Sequence, residues 1–189
     1  MEMTSTRSVP APVPTVWAAL NDPAVLKVCI PGCDVIEPDG ENAYRIALAA
    51  RIGPVAAKFT GRMQLADIDP PNGYTLSFEG QGGAAGFAKG DAKVSLVPAE
   101  NGAATMLSYT VNAQVGGKIA QIGSRLVDGA AQKLADDFFE RFSEAVAAQA
   151  GLAPAARAPT VAGKQPWVRY VAVALLVGVI AYLASRWSR

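Results

Sequence analysis

Apolar and polar residues alternate with a period of two over most of the chain between residues 44 and 115. In each run one set of positions is apolar and the other is polar, as expected for an antiparallel sheet with one wetted face. Turn sequences separate the runs at Gly53-Pro54, at residues 70–73 (Pro-Pro-Asn-Gly) and at Asn101-Gly102. The pattern therefore predicts a sheet built from successive hairpins.

Helical spacing precedes and follows these strands. After a short strand over Thr4–Val9, the pattern predicts one helix that begins near Pro14 and a second that begins at Asp22-Pro23. Beyond the last strand, helical spacing returns from Gly117 to about Ala148. The apolar stripe of this long helix consists of Ile119, Ile122, Leu126, Leu134, Phe138 and Phe142.

This order of elements predicts an α+β domain over residues 1–150, in which a long helix lies across a curved antiparallel sheet. Small residues dominate the first half of that helix, whereas Phe138, Phe139 and Phe142 lie in the second half. A small-faced helix over a curved sheet either leaves an apolar cavity at that end or packs closely on the sheet. The residues we expect to line such a cavity are Phe59, Met63, Phe78, Phe87, Ile119, Ile122 and Leu126.

The glycine-rich stretch GQGGAAGFAKGDAKV, residues 80–94, resembles a phosphate-binding loop only superficially. Gly80, Gly82 and Ala85 match G-x-G-x-x-A, but the residues after them alternate as a strand and not as a helix. The stretch is therefore predicted to turn a hairpin and not to bind a nucleotide. Phe87 is out of phase with the apolar positions that follow, so either a bulge turns it into the pocket or it projects from the hairpin toward a membrane or a partner.

The composition excludes several kinds of site. The chain has no histidine, which removes Ser-His-Asp and Cys-His nucleophile pairs and histidine metal sites. Its two cysteines, Cys29 and Cys33, are too few for a metal site and are expected to be small thiols in a turn. Asp136 and Asp137 lie among bases at helical spacing, with Lys133 placed to pair with Asp137, and this pattern indicates a salt-bridged surface and not a catalytic pair. We therefore expect neither a catalytic nor a metal site.

Charge divides the chain into two unlike parts. Residues 1–150 hold 12 bases and all 16 acids, a net charge of −4, whereas the remaining residues hold five bases and no acid. An acidic body argues against nucleic-acid binding.

The C-terminal segment from 167 to 187 is predicted to be a transmembrane anchor. Its centre, residues 171–185, has no charged residue, and 21 residues of helix would span about 31 Å. A buried core helix and an amphipathic surface helix are the weaker alternatives. Residues 151–166, rich in alanine and proline, are predicted to form an extended linker that reaches about 50 Å. The N-terminus lacks the apolar core of a signal peptide, so we expect the body at the cytoplasmic face of the membrane.

Three stretches resemble a known family: TVWAALNDPAVLKVCIPGCDVIE, FTGRMQLADIDPPNGYTLSFEGQGGAAGFAKGDAKVSLVP and VGGKIAQIGSRLVDGAAQKLADDFFERF. Together they resemble the carbon monoxide dehydrogenase G-subunit family of the START-like (SRPBCC) superfamily of helix-grip proteins, over roughly residues 1–148.

The resemblance implies a non-catalytic accessory protein that recruits molybdenum-copper carbon monoxide dehydrogenase, or a related molybdenum hydroxylase, to the cytoplasmic membrane. It also implies a respiratory quinone, menaquinone or ubiquinone, held without a covalent bond in the cavity. A ligand-free docking adaptor for the dehydrogenase is the alternative. A third possibility is an enzyme, as some START-like proteins are, and the absence of histidine and of inward-facing strand acids argues against it.

Overall fold

The computed structural model describes residues 1–151. One antiparallel sheet has seven strands in the order β1-β7-β6-β5-β4-β3-β2, so successive hairpins run from β2 to β7 and the N-terminal strand closes on the last one. The sequence therefore predicted the hairpin sheet correctly. The strands are β1 (Glu2–Val9), β2 (Cys33–Pro38), β3 (Ala43–Ile52), β4 (Val55–Asp69), β5 (Gly73–Gln81), β6 (Phe87–Ala99) and β7 (Ala104–Gly116).

The helices confirm most of the predicted order. Asp22 caps the second helix, where its carboxylate accepts a hydrogen bond of 2.8 Å from the Ala24 N–H. The long C-terminal helix differs from its prediction, because the chain breaks at Gly123 with a φ of +95°, a conformation that favours glycine. The helices are α1 (Val13–Leu20), α2 (Pro23–Cys29), α3 (Lys118–Gln121) and α4 (Ser124–Gln149).

The core lies between α4 and the apolar face of the sheet. Phe138 and Phe142 of α4 stack with ring centres 5.5 Å apart, and Phe139 stacks on Tyr109 of β7 at 5.3 Å. Most apolar positions of the strands are buried, except Tyr44, Leu65 and Val115, which are half-buried, and the alternate polar positions face outward. The second half of α4 is therefore the part that fastens the helix to the sheet.

Polar contacts hold the flanks of α4. The Arg7 guanidinium of β1 donates to the Asp136 carboxylate and lies 5.8 Å from the centre of the Phe139 ring. At the next position of the helix, Asp137 forms the expected ion pair with Lys133 at 2.9 Å. Asp136 thus ties the helix to β1, while Asp137 pairs along the helix surface.

The CIPGC turn joins α2 to β2 at a close backbone approach. Gly32 has a φ of +72°, and a Cβ atom there would lie 2.2 Å from the Ala49 carbonyl oxygen. Cys29 is fully buried, and burial raises the pKa of its thiol to about 11 although Arg141 partly opposes the shift. Burial also raises the pKa of Cys33, which is half-buried.

The predicted anchor and the linker beyond residue 151 lie outside the described residues, so both remain predictions. Within residues 1–151, no helix is both long enough and apolar enough to cross a bilayer.

Replacing Gly32 with alanine should destabilise the body strongly. The left-handed backbone costs an alanine about 1–2 kcal/mol, and the contact with Ala49 adds about 1–3 kcal/mol. Gly83→Ala is the matched control, since Gly83 also has a positive φ (+57°) but nothing within 4 Å. Urea unfolding of the full chain in mild detergent should show the larger loss for Gly32→Ala, and equal losses would contradict the close approach.

Cys29 should resist alkylation in the folded chain. At about pH 8, a pKa raised from 9.0 to about 11 lowers its thiolate fraction about a hundredfold, and burial blocks access as well. Iodoacetamide labelling followed by peptide mass spectrometry should find Cys33 modified long before Cys29, and both modified after denaturation. Similar labelling rates for the two native thiols would show that Cys29 is accessible.

Candidate functional site

An open cleft of about 510 Å3 lies between the end of β7 and the start of α4. It exists because β1 pairs with β7 only as far as Asn112, after which Met1 and Ala113 exchange the last hydrogen bonds, both of 2.8 Å. The final residues of β7 continue beyond β1 and form one wall. The cleft is lined by Met1, Phe87, Ala113, Gln114, Val115, Ala120, Ser124, Val127 and Asp128.

Phe87 stands at the mouth of this cleft. It pairs with Gly116 in a register that passes along β6 and β7 without a shift, so no bulge turns it inward. Its ring covers Gly116, where a Cβ atom would lie 2.2 Å from the ring, and 40% of the residue remains exposed. Of the two orientations left open by the sequence, the structure has the outward one.

The structure does not bring the seven predicted lining residues into one pocket. Phe59, Phe78 and Ile119 are buried at 0%, 4% and 0% exposure, and the Phe59 ring lies against Gly82. These three side chains belong to the packed core and do not border the cleft. Only Phe87 of the predicted set does so.

Met63 lies at the other end of the body, where it borders an apolar cavity of about 40 Å3 together with Phe138 and side chains of α1 and α2. Ile122 and Leu126 instead lie beside the β3–β4 turn. Their Cδ1 atoms are 3.7 and 3.8 Å from where a Cβ atom at Gly53 would stand. The predicted set is thus spread over the core, the far cavity and this turn.

The space at the start of the helix therefore differs from the apolar cavity that the sequence predicted there. Space does occur at the small-residue end of the helix, where Ala120 and Ser124 are too short to fill it, but it is open and partly polar. The enclosed apolar cavity lies instead at the aromatic end. Periodicity could not reveal the cleft, because its wall depends on where the pairing of β1 with β7 stops.

A second concavity of about 770 Å3 lies on the outer face of the sheet, and we call it the outer groove. Charged residues of opposite sign alternate across its strands: Arg62 faces Glu79, and Glu79 faces Lys89. Asp91 lies two residues further along β6. This groove is about as open as the cleft, but charged side chains of both signs line it, which suits a protein partner better than an apolar ligand.

The described residues offer no metal centre. Within residues 1–151, no group of three or more cysteine, aspartate or glutamate side chains is arranged to hold a metal ion. The cleft itself offers an aromatic ring and apolar walls, with the Ser124 hydroxyl and the Gln114 amide as hydrogen-bond donors.

Comparison with known proteins agrees with this architecture. The model of the carbon monoxide dehydrogenase G-subunit (CoxG) family matches residues 6–147. A conserved protein of known structure from Geobacillus kaustophilus is 35% identical with a TM-score of 0.75, over 79% of this chain and 97% of that one. Among curated proteins, the comparison finds no match.

Two more distant structures share the fold alone. A START superfamily protein from Mycobacterium smegmatis is 13% identical with a TM-score of 0.61, over 78% of this chain and 98% of that one. The ZhuI aromatase/cyclase from Streptomyces sp. R1128 is 14% identical with a TM-score of 0.60, over 81% and 99%. With the family match extending from β1 to near the end of α4, the chain belongs to the CoxG family of carbon monoxide dehydrogenase proteins, and its body has the START-like helix-grip fold.

Proposed function

We propose that this chain is a non-catalytic, membrane-tethered accessory protein of a molybdenum carbon monoxide dehydrogenase, and that it binds a respiratory quinone. The observation that supports a ligand is the aromatic and apolar lining of the cleft beside α4. The cleft, of about 510 Å3, and the outer groove, of about 770 Å3, both fall within the range of roughly 300–1,000 Å3 typical of small-molecule sites, but charged side chains line the groove. Family membership supports the partnership with the dehydrogenase.

The side chains of the cleft suit a quinone ring. Phe87 presents an exposed aromatic ring for stacking, and Val115 and Val127 supply apolar walls. A quinone has two carbonyl oxygens that only accept hydrogen bonds, and Ser124 and Gln114 carry the matching donors. When bound, the quinone would supply an acceptor for the electrons of the dehydrogenase.

The predicted anchor makes a lipophilic ligand reasonable. A quinone resides in the bilayer, and the 167–187 segment would hold the body beside that reservoir, at the cytoplasmic face. A ligand contact with the buried Phe59 or Ile119 would require core side chains to move, since neither residue lines a cleft, groove or cavity within the described residues. The absence of histidine from the chain supports a binding role in preference to catalysis.

Filling the cleft should abolish quinone binding. Ala120→Trp places a large ring in the cleft, whereas Gln121→Trp places the same ring on the neighbouring exposed residue, outside the cleft lining. Organic extraction of the purified full chain, followed by mass spectrometry, should show roughly a tenfold loss of bound quinone for Ala120→Trp and little change for the control. The measurement should be repeated after adding menaquinone and ubiquinone.

An unsubstituted chain that carries no quinone and binds neither added quinone would rule out the ligand. Equal loss in both tryptophan variants would mean that the ligand lies elsewhere on the molecule.

The outer groove favours the second candidate function, a docking adaptor that only recruits the dehydrogenase. Its charged rows lie on the solvent face of the sheet, and no ion pair within residues 1–151 engages Glu79, Lys89 or Asp91. Charges left free in a concave surface are available to a partner of complementary charge.

Charge reversal at Lys89 should weaken capture of the dehydrogenase by roughly tenfold if the outer groove is its docking surface. Lys93→Glu is the matched control, because Lys93 faces the same way on the same strand but does not line the groove. Binding of the purified dehydrogenase to the immobilised full chain gives the measurement. If Lys89→Glu releases the enzyme while Ala120→Trp leaves electron transfer intact, the adaptor function is favoured over the quinone-binding function.

A further inference from the structure

Exposed apolar side chains gather where the β3–β4 turn meets the start of α4. Leu126 is 51% exposed although its Cδ1 lies close to Gly53, and Ile122 beside it is partly exposed. Phe87 is 40% exposed at the mouth of the cleft formed by this same part of the chain. Exposed apolar side chains that lie near one another can mark a site of contact with a membrane or another protein.

Three basic residues lie close in sequence to the β3–β4 turn and to Ile122 and Leu126. Arg51 precedes the β3–β4 turn, and Lys118 and Arg125 flank Ile122 along the chain; all three are exposed. Within residues 1–151, none of these bases forms an ion pair. We call these residues, at the β3–β4 turn, at the start of α4 and at the cleft that this start borders, the tip: Arg51, Phe87, Lys118, Ile122, Arg125 and Leu126.

The tip contains three bases and no acid, although the body as a whole is acidic. Residues 1–150 carry 12 bases and 16 acids, whereas residues 117–131 contain two bases and one acid, Asp128, which faces the cleft. Exposed apolar residues within a basic surface are the combination that binds the interface of an anionic bilayer. The partner that fits the tip is therefore a membrane with acidic phospholipids.

The chain is long enough for the tip to reach the membrane that holds its anchor. The tip lies at the start of α4, whose 26 residues span about 39 Å to the C-terminal end of the helix. The linker predicted from the sequence, residues 151–166, could cover about 50 Å when extended. The tether therefore permits the far end of the body to face the bilayer.

We propose that the tip is a second membrane contact, in which Leu126, Ile122 and Phe87 enter the interface of an anionic bilayer while Arg51, Lys118 and Arg125 bind its phosphate groups. This contact also turns the mouth of the cleft toward the lipid, because Ala120 and Ser124 of the cleft belong to the same connection. The proposal takes the membrane attachment from the proposed function, but it does not depend on quinone.

The test uses the full chain in quinone-free vesicles, without the dehydrogenase. Cys33→Ser removes the accessible thiol, and a polarity-sensitive fluorophore is attached at Leu126→Cys or at Val97→Cys. Val97 is the matched control because it is 54% exposed and lies near the opposite end of β6 from Phe87. Quenching by brominated phospholipids, with and without phosphatidylglycerol, then reports lipid contact at each site.

We expect quenching at position 126 that increases with phosphatidylglycerol, and none at position 97. Lys118→Glu with Arg125→Glu should lower the ratio of docked to undocked label roughly tenfold or more. Lys27→Glu with Lys93→Glu makes the same change in net charge at two exposed lysines outside the tip and should have little effect. Equal quenching at 126 and 97, or equal losses in the two double variants, would overturn the proposal.

Vesicle flotation distinguishes lipid contact at the tip from attachment through the predicted anchor. If the chain floats but position 126 is not quenched, the anchor holds and the tip contact is wrong. If flotation itself requires phosphatidylglycerol, Lys118 and Arg125, the tip binds lipid and the anchor is wrong. A chain that floats under no condition overturns both.

Discussion

The unequal side chains of α4 determine how the rest of this structure is arranged. Phe138, Phe139 and Phe142 bury the second half of the helix against the sheet and fix its position. The first half has no side chains of comparable size, and close packing forbids the helix from tilting to fill the gap without losing the aromatic contacts. The cleft lies at this end, where Ser124 of α4 and Ala120 of α3 are too short to fill the space left by the end of the β1–β7 pairing.

The face of the sheet on which a strand residue lies could be predicted from the local sequence, whereas the cleft could not. Period-two alternation identifies the inward side chains Ile46, Phe59 and Tyr109, because each needs only its own strand to determine its face. The cleft instead depends on the contact of Met1 with Ala113, which are far apart in sequence. No local pattern reports such a register, so Gln114 and Val115 could not be recognised as lining residues.

For Phe87, too, the local sequence indicates the face of the sheet but not the cleft that the side chain borders. Its phase placed it on the outer face, and the structure agrees, yet it was predicted to line a pocket inside the sheet. The ring reaches the cleft because the cleft extends around the end of β7 toward the outer face. Similarly, helical spacing continued through Gly123 and predicted one helix, because apolar periodicity does not detect a single left-handed residue.

The cleft and the outer groove meet at the end of β7, and this relation makes the two candidate functions compatible. Met1, Ala113 and Gln114 border both concavities. A dehydrogenase docked on the outer groove would therefore lie beside a ligand in the cleft, with only the edge of one strand between them. The tip lies on the α4 side of the same cleft. A body built in this way can hold a lipophilic ligand between a membrane on one side and a protein partner on the other, which is the arrangement that electron delivery to a membrane-soluble acceptor requires.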